Sequence, residues 1–357
     1  MCRQQRPLPG SRRSGSKLST INKYMTPNWD AFRQLLNEAG REGRSGLFVI
    51  DFEMQRPLWF PLQDLDPARV LYDFQGVGNA AVDVADDTPP IGLTERHPAS
   101  AARYQEAFAV VRRGLLRGDS FLANLTLPTP IALSGDLRSL FFQSQARYRL
   151  WLRDDFACFS PETFIKIQDG RIFTYPMKGT RPARDPHDGR QLLDDPKEKA
   201  EHATIVDLLR NDLSRVARRV RVERYRYLEC IPTAKGGLWQ TSSCIAGDLP
   251  PDYSAHLGDL LHELLPAGSV SGAPKASTLG IIREAEGQDR GYYTGIAGIF
   301  DGVNVDSCVL IRFIEQHPQG LRYWSGGGVT AQSQWADEYQ ELLEKVYLSP
   351  QTAILSP

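Results

Sequence analysis

The stretch Phe156-Ala157-Cys158-Phe159-Ser160-Pro161-Glu162-Thr163-Phe164-Ile165-Lys166-Ile167-Gln168-Asp169-Gly170-Arg171-Ile172-Phe173-Thr174-Tyr175-Pro176 carries two β-patterned runs joined by the turn residues Asp169-Gly170. A turn this tight between strands leaves no length for a crossover helix, so the runs read as antiparallel neighbours. The same grammar recurs from Phe121 to Ile131, from Trp239 to Ile245 and from Tyr292 to Trp324, with Gly or Asp between short runs. Leu47-Phe48-Val49-Ile50-Asp51 reads as a buried strand, and Leu58-Trp59-Phe60 as its neighbour across the turn near Gln55-Arg56-Pro57. The expectation is a set of antiparallel sheets punctuated by helices, and not a series of βαβ units.

Composition narrows the function classes. Forty-two Lys and Arg against forty-three Asp and Glu in 357 residues give a net charge of -1, which argues against a nucleic-acid-coating protein and against a polybasic membrane binder. The five cysteines, Cys2, Cys158, Cys230, Cys244 and Cys308, show no C-x-x-C spacing, so neither a disulfide framework nor a zinc site is indicated, and a reducing cytoplasm fits best. Residues 1–24 are basic, with no acid and no apolar run, which excludes a secretory signal; a disordered tail is expected there. Residues 25–95 read as a small N-terminal region completing the sheet, opened by the amphipathic pattern Trp29-Asp30-Ala31-Phe32-Arg33-Gln34-Leu35-Leu36, and 96–350 as the catalytic domain. No run approaches the length of apolar residues that a membrane span needs.

Three groups of residues carry chemistry. Lys178, in Met177-Lys178-Gly179-Thr180, lies downstream of Glu162. An amine attacks carbon only when neutral, and a carboxyl donates a proton only when its pKa is raised, so the pair reads either as solvated turn residues or as a covalent lysine with an acid beside it. Two helices each present two carboxylates three apart: Glu198 and Glu201 after the cap Asp195-Pro196, and Glu338 and Glu341 in a helix expected from Gln334 to Tyr347 with Ser333 as its cap. They read either as solvated surface charge, with Lys345 pairing Glu341, or as ligands to a hard cation, for which oxygen donors without Cys favour Mg²⁺. His202 is a structural histidine or a contact to substrate. The glycine-rich runs Gly268 to Lys275 and Ser325-Gly326-Gly327-Gly328 let an anion approach backbone amides, though the first lacks the spacing of a phosphate P-loop.

Taken together, Gly118 to Thr126, Phe159 to Glu162, the Lys178 run, Glu201 to Arg215, Gly268 to Lys275, Arg290 to Gly295 and Gly326 to Glu341 resemble, in order and over roughly residues 100–350, the chorismate-utilising enzymes, which include anthranilate, aminodeoxychorismate, isochorismate and salicylate synthases. The resemblance implies an α+β fold: one large domain with two packed antiparallel sheets flanked by helices. Lysine at 178 is similar to the aminodeoxychorismate branch, where anthranilate synthases carry alanine, and Leu122 stands where the isochorismate and salicylate branch places a water-activating lysine.

That branch converts chorismate and ammonia to 4-amino-4-deoxychorismate, toward 4-aminobenzoate and folate. By resemblance, Glu201 and Glu341 hold Mg²⁺, Glu198 and Glu338 bind its waters, Glu162 protonates the leaving hydroxyl, and Lys178 is the nucleophile. Ser243, Ser269, Ser271, Gly272, Lys275, Tyr293, Arg312, Gly327, Gly328, Thr180 and His202 form the substrate-binding set. Ammonia is expected from a separate glutamine amidotransferase subunit, since no cysteine sits on a Gly-flanked nucleophile turn and the chain ends soon after the last motif. The rival readings are an anthranilate synthase component and a non-catalytic chorismate-binding partner subunit. Two departures stand out: only some seventy N-terminal residues correspond to a fuller tryptophan-binding region of longer relatives, and Gln240 occupies a position that is histidine in many of them.

Overall fold

A computed structural model describes residues 24–80, 89–233 and 236–348. The N-terminal segment read as a disordered tail lies, but for Tyr24, outside the described residues. Among those described, eight α-helices are α1 Trp29–Glu42, α2 Ala101–Arg117, α3 Leu137–Gln143, α4 Pro186–Asp194, α5 Pro196–Ser214, α6 Leu257–Leu264, α7 Lys275–Glu286 and α8 Trp335–Glu344.

The strands form two nine-stranded sheets, antiparallel throughout. The first runs, in spatial order, Met177–Pro182, Gly236–Asp248, Arg171–Thr174, Thr163–Gln168, Val305–Val309, Ile296–Phe300, Gly46–Ile50 and Leu58–Pro61, with Arg218–Thr233 also paired to Gly236–Asp248. The second runs Gly272–Ala273, Leu122–Leu133, Gly320–Val329, Phe313–His317, Phe156–Ser160, Tyr148–Leu152, Val70–Phe74 and Val77–Gly78, with Leu93–Arg96 on Leu122–Leu133. The quoted stretch thus crosses between sheets at Ser160-Pro161-Glu162, and its Asp169-Gly170 turn closes a hairpin in the first sheet.

Burial on both faces explains the unbroken apolar run Leu47-Phe48-Val49-Ile50. Successive side chains point to opposite faces, so Leu47 and Val49 meet Val70, Leu150, Phe156 and Phe313 of the second sheet, while Phe48 and Ile50 pack with Phe32 and Leu36 of α1 and Leu261 of α6. The far face of the second sheet is covered by α3 at one end and by α2 and α7 at the other. The result is an α+β domain of two packed sheets with helices outside.

Local signals set the helix ends. Asp195 caps α5 by accepting from the N–H groups of Lys197 and Glu198, with Pro196 in the first turn, and Gly118 ends α2 at φ 81. One expectation is corrected: α8 begins at Trp335 with Gln334 at the cap position and ends at Glu344, and Ser333 instead accepts the N–H of Thr330 to close the preceding turn. The long strand Arg218–Thr233 escapes an apolar-pattern search because its outward positions carry Arg221, Glu223 and Arg224.

A buried ion pair locks the second sheet to α7. Arg290 and Glu286 have side chains 1% and 0% exposed. The guanidinium reaches both Glu286 oxygens, at 2.9 and 2.6 Å, and the carbonyls of Val270 and Asn124, while Glu286 Oε1 accepts from the N–H and hydroxyl of Thr126. Removing one partner strands the other charge in a low-dielectric site, at about 3–5 kcal/mol. Glu286→Ala should therefore lower the unfolding free energy by about that amount in urea titrations, and Glu286→Ala combined with Arg290→Met should recover a large part of it.

Candidate active site

The open ends of the two sheets, α5 and the turn before α7 enclose a cavity of about 230 Å³. Its polar wall includes Glu162, Lys178, Glu201, Ser269, Tyr293, Arg312, Glu341 and Lys345, with Gly326, Gly327 and Gly328 along one side. Helices and strands far apart in the chain thus converge on one space.

A break in strand register delivers Lys178. Met177 pairs with Ser242 and Thr180 with Gln240, with a bulge between, and Gly179 takes φ +81. A regular strand would put Lys178 and Thr180 on one face; the bulge breaks that alternation. Lys178 enters the cavity, where its Nζ lies 2.8 Å from Glu201 Oε2, and Thr180 is exposed outside it. A Cβ at Gly179 would also stand 2.6 Å from Glu198 Oε2. Burial works to lower the Lys178 pKa, but the Glu201 ion pair, with the charges of Glu341 and Glu198, outweighs it and holds the ammonium above its usual range.

Glu162 is tuned as a carboxylic acid. Its Oε1 accepts the Ser269 hydroxyl at 2.6 Å. Burial raises its pKa against the opposing pull of that bond and of Arg312 and Lys345. The cavity therefore holds a carboxyl shifted toward its neutral form and an amine shifted toward its charged form, with Arg312 and Tyr293 in the same wall. Arg312 adopts φ 52, a region rarely used by residues with a side chain. Its Nε donates to the Tyr347 hydroxyl at 3.0 Å. Tyr293 stacks on Trp324 with ring centroids 5.2 Å apart.

The four helix carboxylates gather around this space. Glu341 pairs with Lys345 at 2.5 Å; burial opposes its ionisation, but Lys345 outweighs burial and lowers its pKa. Burial followed by the charge of Glu201 raises Glu198, and burial followed, after an opposing Ser333 hydrogen bond, by the charge of Glu341 raises Glu338. Glu198 Oε2 is buried without a hydrogen-bond partner. A Cβ at Gly327 would come within 3.0 Å of Glu341 Oε1 and 3.4 Å of Glu338 Oε2. As placed, among the described residues no three His, Cys, Asp or Glu groups form a ready cluster for an ion, and Lys178 and Lys345 are paired with two of the carboxylates. The oxygen-donor chemistry and the orphaned Glu198 oxygen nonetheless suit a hard cation.

Several residues assigned to substrate by resemblance stand elsewhere. His202 is fully buried behind the wall, its Nε2 2.7 Å from Ser243 Oγ, and that hydroxyl also accepts the N–H of Arg226. On α5 a step of one residue turns about 100°, so Glu201 faces the cavity and His202 the sheet. Ser271 is buried and donates to Ala267 O. Lys275 is held by Asp212 at 3.0 Å and Leu264 O at 2.7 Å, since a half-sequestered ammonium must find partners. Gly272, at φ +135, leaves no room for a side chain against Leu122 O. Ser269, Gly327 and Gly328 do line the cavity. So does Leu122, which adds an apolar group to the wall. Asn124 had no role assigned, although the alternation of a strand puts it on the same face as Leu122.

The described cysteines offer no nucleophile turn. Among the described residues Cys158, Cys244 and Cys308 are buried and Cys230 is exposed on the strand Arg218–Thr233, and burial raises the thiol pKa of all three buried ones. No helix among the described residues is long and apolar enough to cross a membrane.

The family model described as chorismate binding enzyme matches residues 79–349. The chain is 48% identical over 317 residues to an uncharacterized PabA-like protein of Haemophilus influenzae, covering 89% of this chain and 96% of that one. It is 35% identical over 272 residues to aminodeoxychorismate synthase component 1 of Klebsiella aerogenes, covering 71% of this chain but 59% of that longer relative. Among solved structures, anthranilate synthase component I of Streptococcus pneumoniae superposes with a TM-score of 0.60 at 28% identity, covering 71% of this chain and 58% of that one. The menaquinone-specific isochorismate synthase of Escherichia coli shares the fold, with a TM-score of 0.69 at 17% identity, covering 90% and 82%.

Burial, then the charge of Arg226, lowers the His202 pKa from 6.5 to about 4. The neutral ring is thus favoured in the fold. The stability it contributes is full above about pH 6.5 and is lost as pH falls toward 4, by about 3 kcal/mol from this group. His202→Gln, which keeps a polar partner for Ser243, should show a flatter stability curve than the parent over that window in urea titrations run at each pH.

Proposed function

The chain belongs to the chorismate-binding enzyme family, and on that premise we propose that it catalyses the synthesis of 4-amino-4-deoxychorismate from chorismate and ammonia. The observation that carries the choice is Lys178 projecting into the cavity opposite Glu162, with apolar Leu122 in place of a base for water. Chorismate carries two carboxylates and a hydroxyl that is a poor leaving group, so it needs cationic contacts and a proton donor. Arg312 offers the cation and the amides of Gly327 and Gly328 neutral N–H donors beside it, and Glu162, shifted toward its acid form, offers the proton.

In this reading Glu162 gives its proton to the C4 oxygen, which leaves as water while the Lys178 amine adds at C2. Lys178 must leave its ion pair with Glu201, 2.8 Å away, and give up a proton to solvent before it attacks. Ammonia then attacks C4 and the lysine departs. Mg²⁺ is part of the proposal, with Glu201 and Glu341 as ligands and Glu198 and Glu338 on its waters; when bound it supplies Lewis-acid charge to the ring carboxylate. The nitrogen is proposed to come from a separate glutamine amidotransferase subunit, leaving this chain to use free ammonia when alone.

Pure protein incubated with chorismate, Mg²⁺ and ammonium should yield 4-amino-4-deoxychorismate, identified by mass; anthranilate, which lacks the enolpyruvyl group, would refute the assignment. Glutamine should give no product until the partner is added. Without ammonium, an adduct should appear on Lys178 by peptide mapping, and Lys178→Ala should lose both adduct and most turnover. Excess chelator should abolish activity, and Glu201→Gln should lower it at least about tenfold, as expected for a lost ligand. Full turnover in chelator would remove Mg²⁺ from the scheme.

A further inference from the structure

Arg312 is the only arginine among the described residues of the cavity wall. Its backbone is fixed: the carbonyl accepts the N–H of Phe159 at 3.1 Å, and the residue holds φ 52. Its side chain makes a single hydrogen bond among the described residues, from Nε to the Tyr347 hydroxyl at 3.0 Å. Neither terminal nitrogen has a partner among those residues, and neither is sealed from solvent. The guanidinium is thus held at one nitrogen and open at two.

Tyr347 is itself anchored, although it stands outside the cavity lining and is 46% exposed. It follows α8, where its N–H donates to Lys345 O at 3.2 Å. Its carbonyl accepts the hydroxyl of Tyr323 at 2.9 Å, and Tyr323 is fully buried on the strand Gly320–Val329. The guanidinium carbon of Arg312 lies over the Tyr347 ring, 4.9 Å from its centroid, which adds the attraction of a cation for an aromatic face.

We propose that Tyr347 is a positioning residue for Arg312: by occupying Nε it leaves the two terminal nitrogens, and only those, to meet one carboxylate of chorismate end-on. This rests on the reading of the site as one that binds chorismate. A guanidinium grips a carboxylate best through two parallel N–H···O bonds, and two of its edges can supply them, the terminal pair or Nε with one terminal nitrogen. The Tyr347 hydroxyl takes the second edge out of use, so one geometry remains. A hydroxyl does this without the negative charge of an Asp or Glu, which would compete with the substrate for the cation. A side chain held in its bound orientation also loses less freedom when the ligand arrives.

The test uses the full chain with Mg²⁺ and saturating ammonium, and varies chorismate. Tyr347→Phe keeps the ring and removes the hydroxyl. Its KM for chorismate should rise about fivefold, the scale of one hydrogen bond, while kcat and KM for ammonium stay at the parent values. Tyr347→Leu, which loses the ring as well, should raise KM further. Both changes are at a half-exposed side chain, and the melting midpoint of each variant checks that it folds. Arg312→Met removes every N–H of the guanidinium, and on that background Tyr347→Phe should leave kcat/KM for chorismate unchanged, because the tyrosine then has nothing to position.

A parent-level KM in Tyr347→Phe overturns the proposal, as does a loss confined to kcat. An equal loss in both backgrounds overturns it too, since the effect would not pass through Arg312. The rise in melting midpoint that chorismate gives without ammonium supplies a measure of binding free of turnover, and it should be smaller in Tyr347→Phe than in the parent. If the parent binds chorismate but forms no aminated product, the amination reading fails by itself and this comparison still decides the role of Tyr347. If the parent does not bind chorismate, both fall.

Discussion

The buried Arg290–Glu286 pair is the constraint on which the cavity depends. Taking two charges out of water is costly, and the cost is offset only where every donor and acceptor is used. Here the guanidinium spans Glu286, Val270 O, Thr294 Oγ1 and Asn124 O and lies over the Phe52 ring, while the carboxylate holds Thr126. One ion pair therefore fixes α7, the turn before it, the N-terminal end of Leu122–Leu133 and the loop after Gly46–Ile50 relative to one another. Glu53 completes the junction by accepting the N–H groups of Arg290 and Gly291.

From that junction the rest of the cavity is built by departures from regular strand geometry. The bulge at Lys178-Gly179 turns one side chain inward and its neighbour out, and three successive glycines on Gly320–Val329 leave the opposite wall without side chains. A methyl group at 327 would come within 3.0 Å of Glu341 Oε1 and 3.4 Å of Glu338 Oε2, so the α8 carboxylates would have to shift to admit it.

The electrostatics follow from burying more carboxylates than cations in one place. Glu198 and Glu338 are pushed toward their neutral forms by burial and by a like charge beside each, and Lys178 and Lys345 are paired with the other two carboxylates, Glu201 and Glu341. The site also keeps Glu162 apart, in a pocket where burial and not a neighbouring carboxylate sets its acidity.

Much of this was legible in residue order. Alternation and turn residues specify antiparallel strands at Gly46–Ile50 and Thr163–Gln168, because side-chain period and turn chemistry are local. Asp195-Pro196 and Gly118 specify helix ends for the same reason, and a family resemblance marks Lys178, Glu162 and the four carboxylates. Burial and orientation were not legible. Whether Thr180 shares a face with Lys178 depends on a bulge set by pairing with Gly236–Asp248. Whether Lys275 faces substrate depends on Asp212, which competes for it across the fold. Whether His202 touches a ligand depends on which side of α5 meets the sheet. Asn124 sits in a quoted motif, yet only partners distant in the chain, Ser271 and Arg290, decide where its backbone N–H and carbonyl are bonded. Sequence determines what each segment prefers within a turn or two; partners distant in the chain decide which polar groups are satisfied and which remain open for chemistry, because that depends on who else reaches the same point in space.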